Sequence, residues 1–157
     1  MQNLKQTLLT LLVISALFAA CDKEDDPDPN IVKRNGIVMN AANERQTNPV
    51  VSSATGTADV TYNKGTKVLN YTLSWQNLTS DSIRGSHIHG PASKTQNAPI
   101  RHGFDMKILK SSGTYSGAVK IDTSNIKEDS LLLGFYYFNI HTKMYPGGEI
   151  RGQIEFQ

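Results

Sequence analysis

Alternation of apolar and polar residues at every second position is the feature that most constrains the fold of this chain. It is clearest in Leu69–Trp75, where residues 69, 71, 73 and 75 are apolar or aromatic and residues 70, 72 and 74 are polar. A period of two is typical of a β-strand with one buried face. Because similar segments recur from residue 34 onward, the sequence predicts an all-β protein.

Eight segments carry this pattern, at residues 34–40, 55–63, 67–76, 83–90, 103–110, 114–121, 134–142 and 149–156. Turn-forming sequences separate them, such as Asn63-Lys64-Gly65-Thr66 between the second and third segments. One short helix is predicted, capped near Asp122 and running to about Leu132, and residues 41–53 are predicted to form a loop. These elements favour an antiparallel sandwich or barrel of about eight strands with Greek-key connections.

Residues 1–20 predict a secretory signal peptide. Lys5 gives a positively charged start, and the run from Leu8 to Ala20 is apolar apart from two hydroxyl residues. This run is shorter than the roughly 18–20 residues that a membrane-spanning helix needs. The sequence therefore predicts that residues 1–20 direct export and are then removed.

Cys21, the only cysteine of the chain, follows this segment directly. The sequence Phe18-Ala19-Ala20-Cys21 resembles the bacterial lipobox, whose cysteine receives a diacylglycerol and usually a further acyl chain such as palmitate. One acyl chain gives only marginal membrane binding, whereas two or three anchor a protein stably. Cys21 is therefore the predicted lipidation site, and the membrane is a predicted partner.

Residues 21–33 are predicted to be a tether, and residues 34–157 the folded domain. Positions 22–28 hold five acidic residues, and two prolines lie within 22–29. This composition is typical of a solvated spacer. It also resembles the export signal of surface-displayed lipoproteins in some Gram-negative bacteria. The predicted location is the bacterial cell envelope, at the outer membrane. If the acidic segment is an export signal, the protein is also exposed on the cell surface.

Composition and missing motifs exclude several classes of function. The 16 basic residues exceed the 14 acidic ones by only two, which gives no support to nucleic-acid binding. A single cysteine rules out an internal disulfide framework, a cysteine-rich zinc finger and a CxxC redox site. The sequence also lacks the glycine-rich phosphate-binding motifs and the GxSxG motif of many serine hydrolases.

Three of the four histidines lie where strand geometry could bring them together. His87 and His89 flank Ile88 on a predicted strand, so both imidazoles project from one face. His141 lies on another predicted strand. If the two strands pair, the histidines form a three-ligand set with one open position, which is typical of catalytic zinc, and copper is equally allowed.

A structural polar cluster is the alternative interpretation. In that case, the three histidines hydrogen-bond to Asn139, Glu149 or Arg151 and hold loops together. Ser86 adjoins the first histidine but faces the opposite side of its strand, so the two form no nucleophile–base pair. No catalytic residue is predicted, and His102 is predicted to lie in a loop without a partner.

Two motifs together resemble the CHRD domain, which is named after repeats in chordin and also occurs in bacterial secreted proteins and lipoproteins. The first is SHIHGPA at Ser86–Ala92, and the second is YFNIHT…PGGEIRGQ between Tyr137 and Gln153. The resemblance covers about residues 34–157 and implies an immunoglobulin-like or related β-sandwich without a settled activity. The positions that match the family are His87, His89, Asn139, His141, Glu149 and Arg151.

The histidine pattern is also similar to that of Cu/Zn superoxide dismutase, another β-sandwich. This chain lacks the disulfide cysteines of that enzyme and shows no bridging histidine, so no dismutase activity is predicted. The preferred hypothesis is a non-enzymatic envelope lipoprotein whose β-sandwich binds a protein or glycan or serves as a scaffold, with no cofactor. The alternative is a copper- or zinc-binding domain that uses His87, His89 and His141.

Overall fold

A computed structural model describes residues 28–79, 83–104 and 110–156. These residues form eight strands, which confirms the predicted all-β class. The strands are β1 Ile31–Asn40, β2 Thr55–Asn63, β3 Val68–Gln76, β4 Ile83–His89, β5 Ile100–Gly103, β6 Gly113–Lys120, β7 Tyr136–Thr142 and β8 Ile150–Ile154. Within the same residues, a 3-10 helix at Ala41–Asn43 follows β1, and helix α1 at Glu128–Leu132 lies between β6 and β7.

All eight strands belong to one antiparallel sheet in the order β5-β4-β7-β8-β1-β2-β3-β6. Aromatic rings bring its two edges together. Tyr71 of β3 stacks on Phe104, which follows β5, with ring centroids 4.7 Å apart. Phe104 also stacks on Tyr115 of the edge strand β6, with centroids 5.6 Å apart. The sheet therefore curls into a nearly closed barrel around its apolar face.

The core contains the residues that the alternation pattern selects. Leu69, Tyr71, Leu73 and Trp75 of β3 are each at most 5% exposed. The register places Tyr62, Val60 and Ala58 of β2 opposite the first three of these, on the same face. Full burial of a side chain the size of leucine contributes roughly 1.5–3 kcal/mol, so this pair of strands supplies much of the apolar driving force.

One strand lies at a different position in the chain from the one predicted. The sequence predicts a strand over residues 103–110, whereas β5 lies at Ile100–Gly103 and residues 105–109 fall outside the described residues. Residues 100–103 show no alternation of their own, and pairing with β4 defines this strand, with His102 opposite Ile88. The prediction that His102 lies in a loop is therefore wrong.

The amino-terminal predictions fall largely outside the described residues. Residues 1–27, which include the predicted signal peptide and Cys21, are not among them. Strand β1 begins at Ile31, which pairs with Asn63, so the sheet starts within the segment predicted as a tether. In the part of the chain that the structure describes, no helix is both long and apolar enough to cross a membrane.

Strands β7 and β8 are buried on both faces, unlike the half-buried strands that the alternation predicts. All seven residues of β7 and all five of β8 are buried. Their inner faces pack in the core. The outer faces are polar and lie beneath two loops, residues 41–54 and 90–99, which are joined by the bond from Arg45 Nε to the Lys94 carbonyl at 2.8 Å. The three clustered histidines lie on this covered outer face.

Candidate metal centre

The pairing of β4 with β7 brings three histidines to one place. His87 and His89 project from the outer face of β4, because alternate residues of a strand share a face. The register places His141 opposite Gly85, and therefore on the same face. One nitrogen of each of the three imidazoles lies within 4.8 Å of the others, whereas His102 is not in this group.

Backbone carbonyls fix the orientation of two of these rings. His89 Nδ1 lies 2.9 Å from the Ala98 carbonyl oxygen, and His141 Nδ1 lies 3.0 Å from that of Pro146. A carbonyl oxygen only accepts hydrogen bonds, so each Nδ1 carries the hydrogen and donates it. In the neutral rings, Nε2 then has a free lone pair. Metal-binding histidines are held in the same way by their second nitrogen.

The two free lone pairs face each other. His89 Nε2 lies 3.3 Å from His141 Nε2. Burial lowers the pKa of both rings, so they are neutral at pH 7 and have no hydrogen to share between these atoms. Two nitrogens bound tetrahedrally to zinc at about 2.0–2.1 Å are about 3.3–3.4 Å apart. The observed separation therefore matches one edge of a tetrahedral metal site.

His87 supplies the third imidazole. Its Nδ1 is buried and has no hydrogen-bond partner among the described residues. Burial, followed by the nearby His141 and His89, lowers the pKa of His87 to about 4. A Cβ atom at Gly85 would lie 2.7 Å from His87 Cε1, so this ring has space only because residue 85 is glycine. The ring is thus neutral at pH 7 and has a buried nitrogen without a partner among the described residues.

A tyrosine and an arginine support the cluster from the side. The rings of His89 and Tyr137 stack with centroids 5.0 Å apart, and Arg151 Cζ lies 3.5 Å from the Tyr137 centroid. Arg151 also donates to the carbonyls of Ser93 and Gln96, at 3.1 and 3.0 Å. These bonds hold the loop that presents the Ala98 carbonyl to His89. Arg151 therefore acts on the cluster through the 90–99 loop and Tyr137.

The three residues of the predicted polar cluster each have their own hydrogen-bond partners. They are Asn139, Glu149 and Arg151. Glu149 is fully buried, and its carboxylate accepts hydrogen bonds from Ser52, Thr79 and Thr142. Asn139 Nδ2 donates to Glu44 at 3.4 Å. Within the described residues, none of the three hydrogen-bonds to a histidine. Asn139 and Glu149 instead contact the 41–54 loop, through Glu44 and Ser52, and Arg151 contacts the 90–99 loop.

Glu44 is a buried acid that the sequence analysis does not identify. It is 8% exposed, and both its Oε1 and Asn139 Oδ1 lack a hydrogen-bond partner in the described part of the chain. Burial raises the pKa of Glu44 to about 7, although the charges of Arg151 and Arg45 lower it. No motif marks this residue, which lies in the 41–53 loop. Its environment depends on a loop closing over β7, which a local pattern does not encode.

A family model, the CHRD domain, matches residues 36–154 and so includes all three clustered histidines. Comparisons with curated proteins and with solved structures each found no match. Since the family model spans well over half of the chain, the chain belongs to the CHRD domain family. This confirms the family that the two sequence motifs predict.

Proposed function

We propose that this CHRD domain is a metal-binding module that holds one copper or zinc ion between His87, His89 and His141. One observation carries the proposal: the Nε2 atoms of His89 and His141 face each other at 3.3 Å while a carbonyl fixes each Nδ1. Without an ion, this arrangement places two buried lone pairs in contact, which is unfavourable. A cation between them removes the repulsion and uses both nitrogens.

The donor types favour a transition metal over a hard cation. Calcium and magnesium take oxygen ligands, whereas imidazole nitrogen suits zinc and copper. A structural zinc site usually has four protein ligands, so a three-histidine set leaves one position for water or a small ligand. The glycine at residue 85 leaves space for the third ring, since a Cβ there would lie 2.7 Å from His87 Cε1.

The proposed module binds an ion and has no catalytic residue. In the same proposal, a lipid anchor at Cys21 and the acidic tether attach the module to the outer membrane of the bacterial envelope. Support for the anchor comes from the signal-like residues 1–20 and the lipobox-like sequence before Cys21. In a Gram-negative host, wild-type protein should be found in the membrane fraction and Cys21→Ala in the soluble fraction. Equal membrane retention of the two would contradict lipidation.

The metal proposal is tested on an untagged chain that begins at residue 21 and carries Cys21→Ser. Calorimetric titration with Cu(II), Cu(I) under reducing conditions, or Zn(II) should show one ion per chain. The preferred metal should raise the melting temperature, because an ion that binds only the folded state stabilises it. The titration also decides between copper and zinc.

Two sets of variants give the test its control. His89→Ala and His141→Ala should abolish stoichiometric binding and the melting-temperature shift. His102→Ala removes a histidine on the inner side of the sheet, whose Nε2 lies 3.2 Å from Tyr71 Oη, and should keep one ion per chain. Absence of binding by the unsubstituted domain at saturating copper and zinc would show that the cluster is only structural.

A further inference from the structure

We propose that a second site, separate from the histidine cluster, binds a small acidic, hydroxyl-bearing molecule of about monosaccharide size. A cavity of about 290 Å³ lies between β1, β8 and the covering loops. Its lining includes four cationic side chains and one acidic one, which are Arg34, Arg45, Lys94, Arg151 and Glu155. An excess of positive charge in a concave site favours an anionic ligand.

Two of the four cations are already fixed in place. Arg45 Nε donates to the Lys94 carbonyl at 2.8 Å, and Arg45 Nη1 donates to the carbonyls of Ala42 and Glu44 at 2.9 and 2.8 Å. Arg151 is only 1% exposed and is held by the carbonyls of the 90–99 loop. A ligand therefore meets positive charge without first ordering these side chains, which reduces the entropy lost on binding.

The other two cations can adjust to a ligand. Arg34 is exposed at the point where the β1 register shifts, between Arg34 and Ile37. Such bulges redirect side chains and recur next to functional sites. Lys94 pairs with Glu155 at 2.8 Å, but their side chains are 61% and 44% exposed. Since an exposed ion pair contributes little, Lys94 can exchange Glu155 for a ligand anion.

Hydrogen-bond acceptors in the lining favour a ligand that also has hydroxyl groups. Asn43 Nδ2 donates to the carbonyls of Arg151 and Val38, at 3.0 and 3.3 Å. Its Oδ1 is then the group left to accept a hydrogen bond from a ligand. Guanidinium groups recognise carboxylates and phosphates alike. A sugar acid and a sugar phosphate both combine these features, whereas an inorganic anion leaves the amide oxygen unused.

The test uses glucuronate and glucose 6-phosphate as probes and glucose as the neutral control. Calorimetry at low ionic strength on the chain from residue 21 should show one molecule of an acidic sugar bound per chain and no binding of glucose. Preference for one acidic sugar identifies carboxylate or phosphate as the natural group. Binding of neither acid at millimolar concentration, or equal binding of glucose, would overturn the proposal.

Variants that each remove one charge distinguish a defined binding site from non-specific electrostatic attraction. Arg34→Gln and Lys94→Gln should each weaken binding about tenfold, and Glu155→Gln should tighten it by freeing Lys94. Lys33→Gln makes the same charge change beside Arg34, but Lys33 does not line the cavity. The affinity of this variant for the acidic sugar should therefore equal that of the wild type. An equal loss in Lys33→Gln and Arg34→Gln would contradict a defined site. Binding should persist in His89→Ala, so this result is independent of the metal proposal.

Discussion

Strands β7 and β8 bury two faces by different means. The inner face presents Phe138, Ile140, Ile150 and Ile154, each 0% exposed, to the apolar core. The outer face presents Tyr137, Asn139, His141, Arg151 and Gln153, which are all buried although most are polar. Burial of the inner face is itself stabilising. Burial of the outer face costs free energy wherever a polar atom lacks a partner.

The buried atoms that lack a hydrogen-bond partner in the described residues are not evenly distributed between the two faces. Buried side-chain atoms without a hydrogen-bond partner in the described residues are Glu44 Oε1, His87 Nδ1 and Asn139 Oδ1. All three belong to the outer face or the loop that covers it. Native proteins satisfy most buried polar groups, so this concentration of exceptions is consistent with the proposed metal site. The inner face maintains the fold, and the outer face has the features of a binding site.

The largest expected effect is on the inner face. Phe138→Ala should lower the free energy of unfolding by about 3–5 kcal/mol, because it leaves a cavity among buried rings. Urea unfolding measures this loss, and Phe138→Leu should cost much less. Metal stoichiometry at a temperature where the variant is folded should stay at one per chain. A loss below about 1 kcal/mol would show that the two faces do not differ as described.

A smaller effect, dependent on pH, is expected from Glu44. Its folded-state pKa, about 7, is raised above the ordinary carboxyl value of 4.5. Between these values the folded state binds more protons than the unfolded state, so the contribution of Glu44 to stability falls as pH rises. At 1.36 kcal/mol per pKa unit, the total change is up to about 3 kcal/mol.

Glu44→Gln removes this titration while keeping an amide oxygen near Asn139. The difference in unfolding free energy between Glu44→Gln and wild type should therefore shift in favour of the variant from pH 4.5 to pH 7. Urea unfolding at pH 4.5, 5.5 and 7 measures that shift, and Glu155→Gln, at a more exposed acid, is the control. A difference that is constant across this range would mean that burial does not raise the Glu44 pKa.

The smallest effect on stability is expected for His87→Ala. This variant best separates the stability of the fold from metal binding on the outer face. Without metal, His87→Ala should change the free energy of unfolding by less than about 1 kcal/mol, because it also removes a buried nitrogen without a partner. Metal affinity should nevertheless fall by at least tenfold. A loss of several kcal/mol in the metal-free variant, with unchanged metal binding, would make His87 a structural residue. The pair of measurements thus separates a role in folding from a role in binding.

The sequence predicts the inner face well and the outer face only in part. Alternation identifies residues such as Leu69 and Ile88 as core, because side-chain direction follows directly from strand periodicity. It also places His87 and His89 on one face. It does not specify that Gly85 pairs with His141, since a repeat of two contains no information about which strands are neighbours. The cluster therefore becomes visible only once β4 and β7 are paired.

Two further features have no local signal. Strand β5 shows no alternation and exists through its pairing with β4. Glu44 is buried because the 41–54 loop folds over β7, where a side chain at Gly148 would collide with the Asn139 amide and lie 2.8 Å from Glu44 Oε1. Both depend on contacts between residues far apart in the chain, so neither short-range propensity nor composition predicts them.

The contacts of Phe104 with Tyr71 and Tyr115, which join the two ends of the sheet, also bear on self-association. Among the described residues, rings rather than backbone pairing join the two ends of the sheet, so two edges remain. Free edge amides are a template for adding a strand from another molecule. Strand β5 offers only four residues, and Arg101 puts a charge among them. Short, charged edges limit such self-association. The strand least evident in the sequence thus offers a second molecule only a short edge with which to pair.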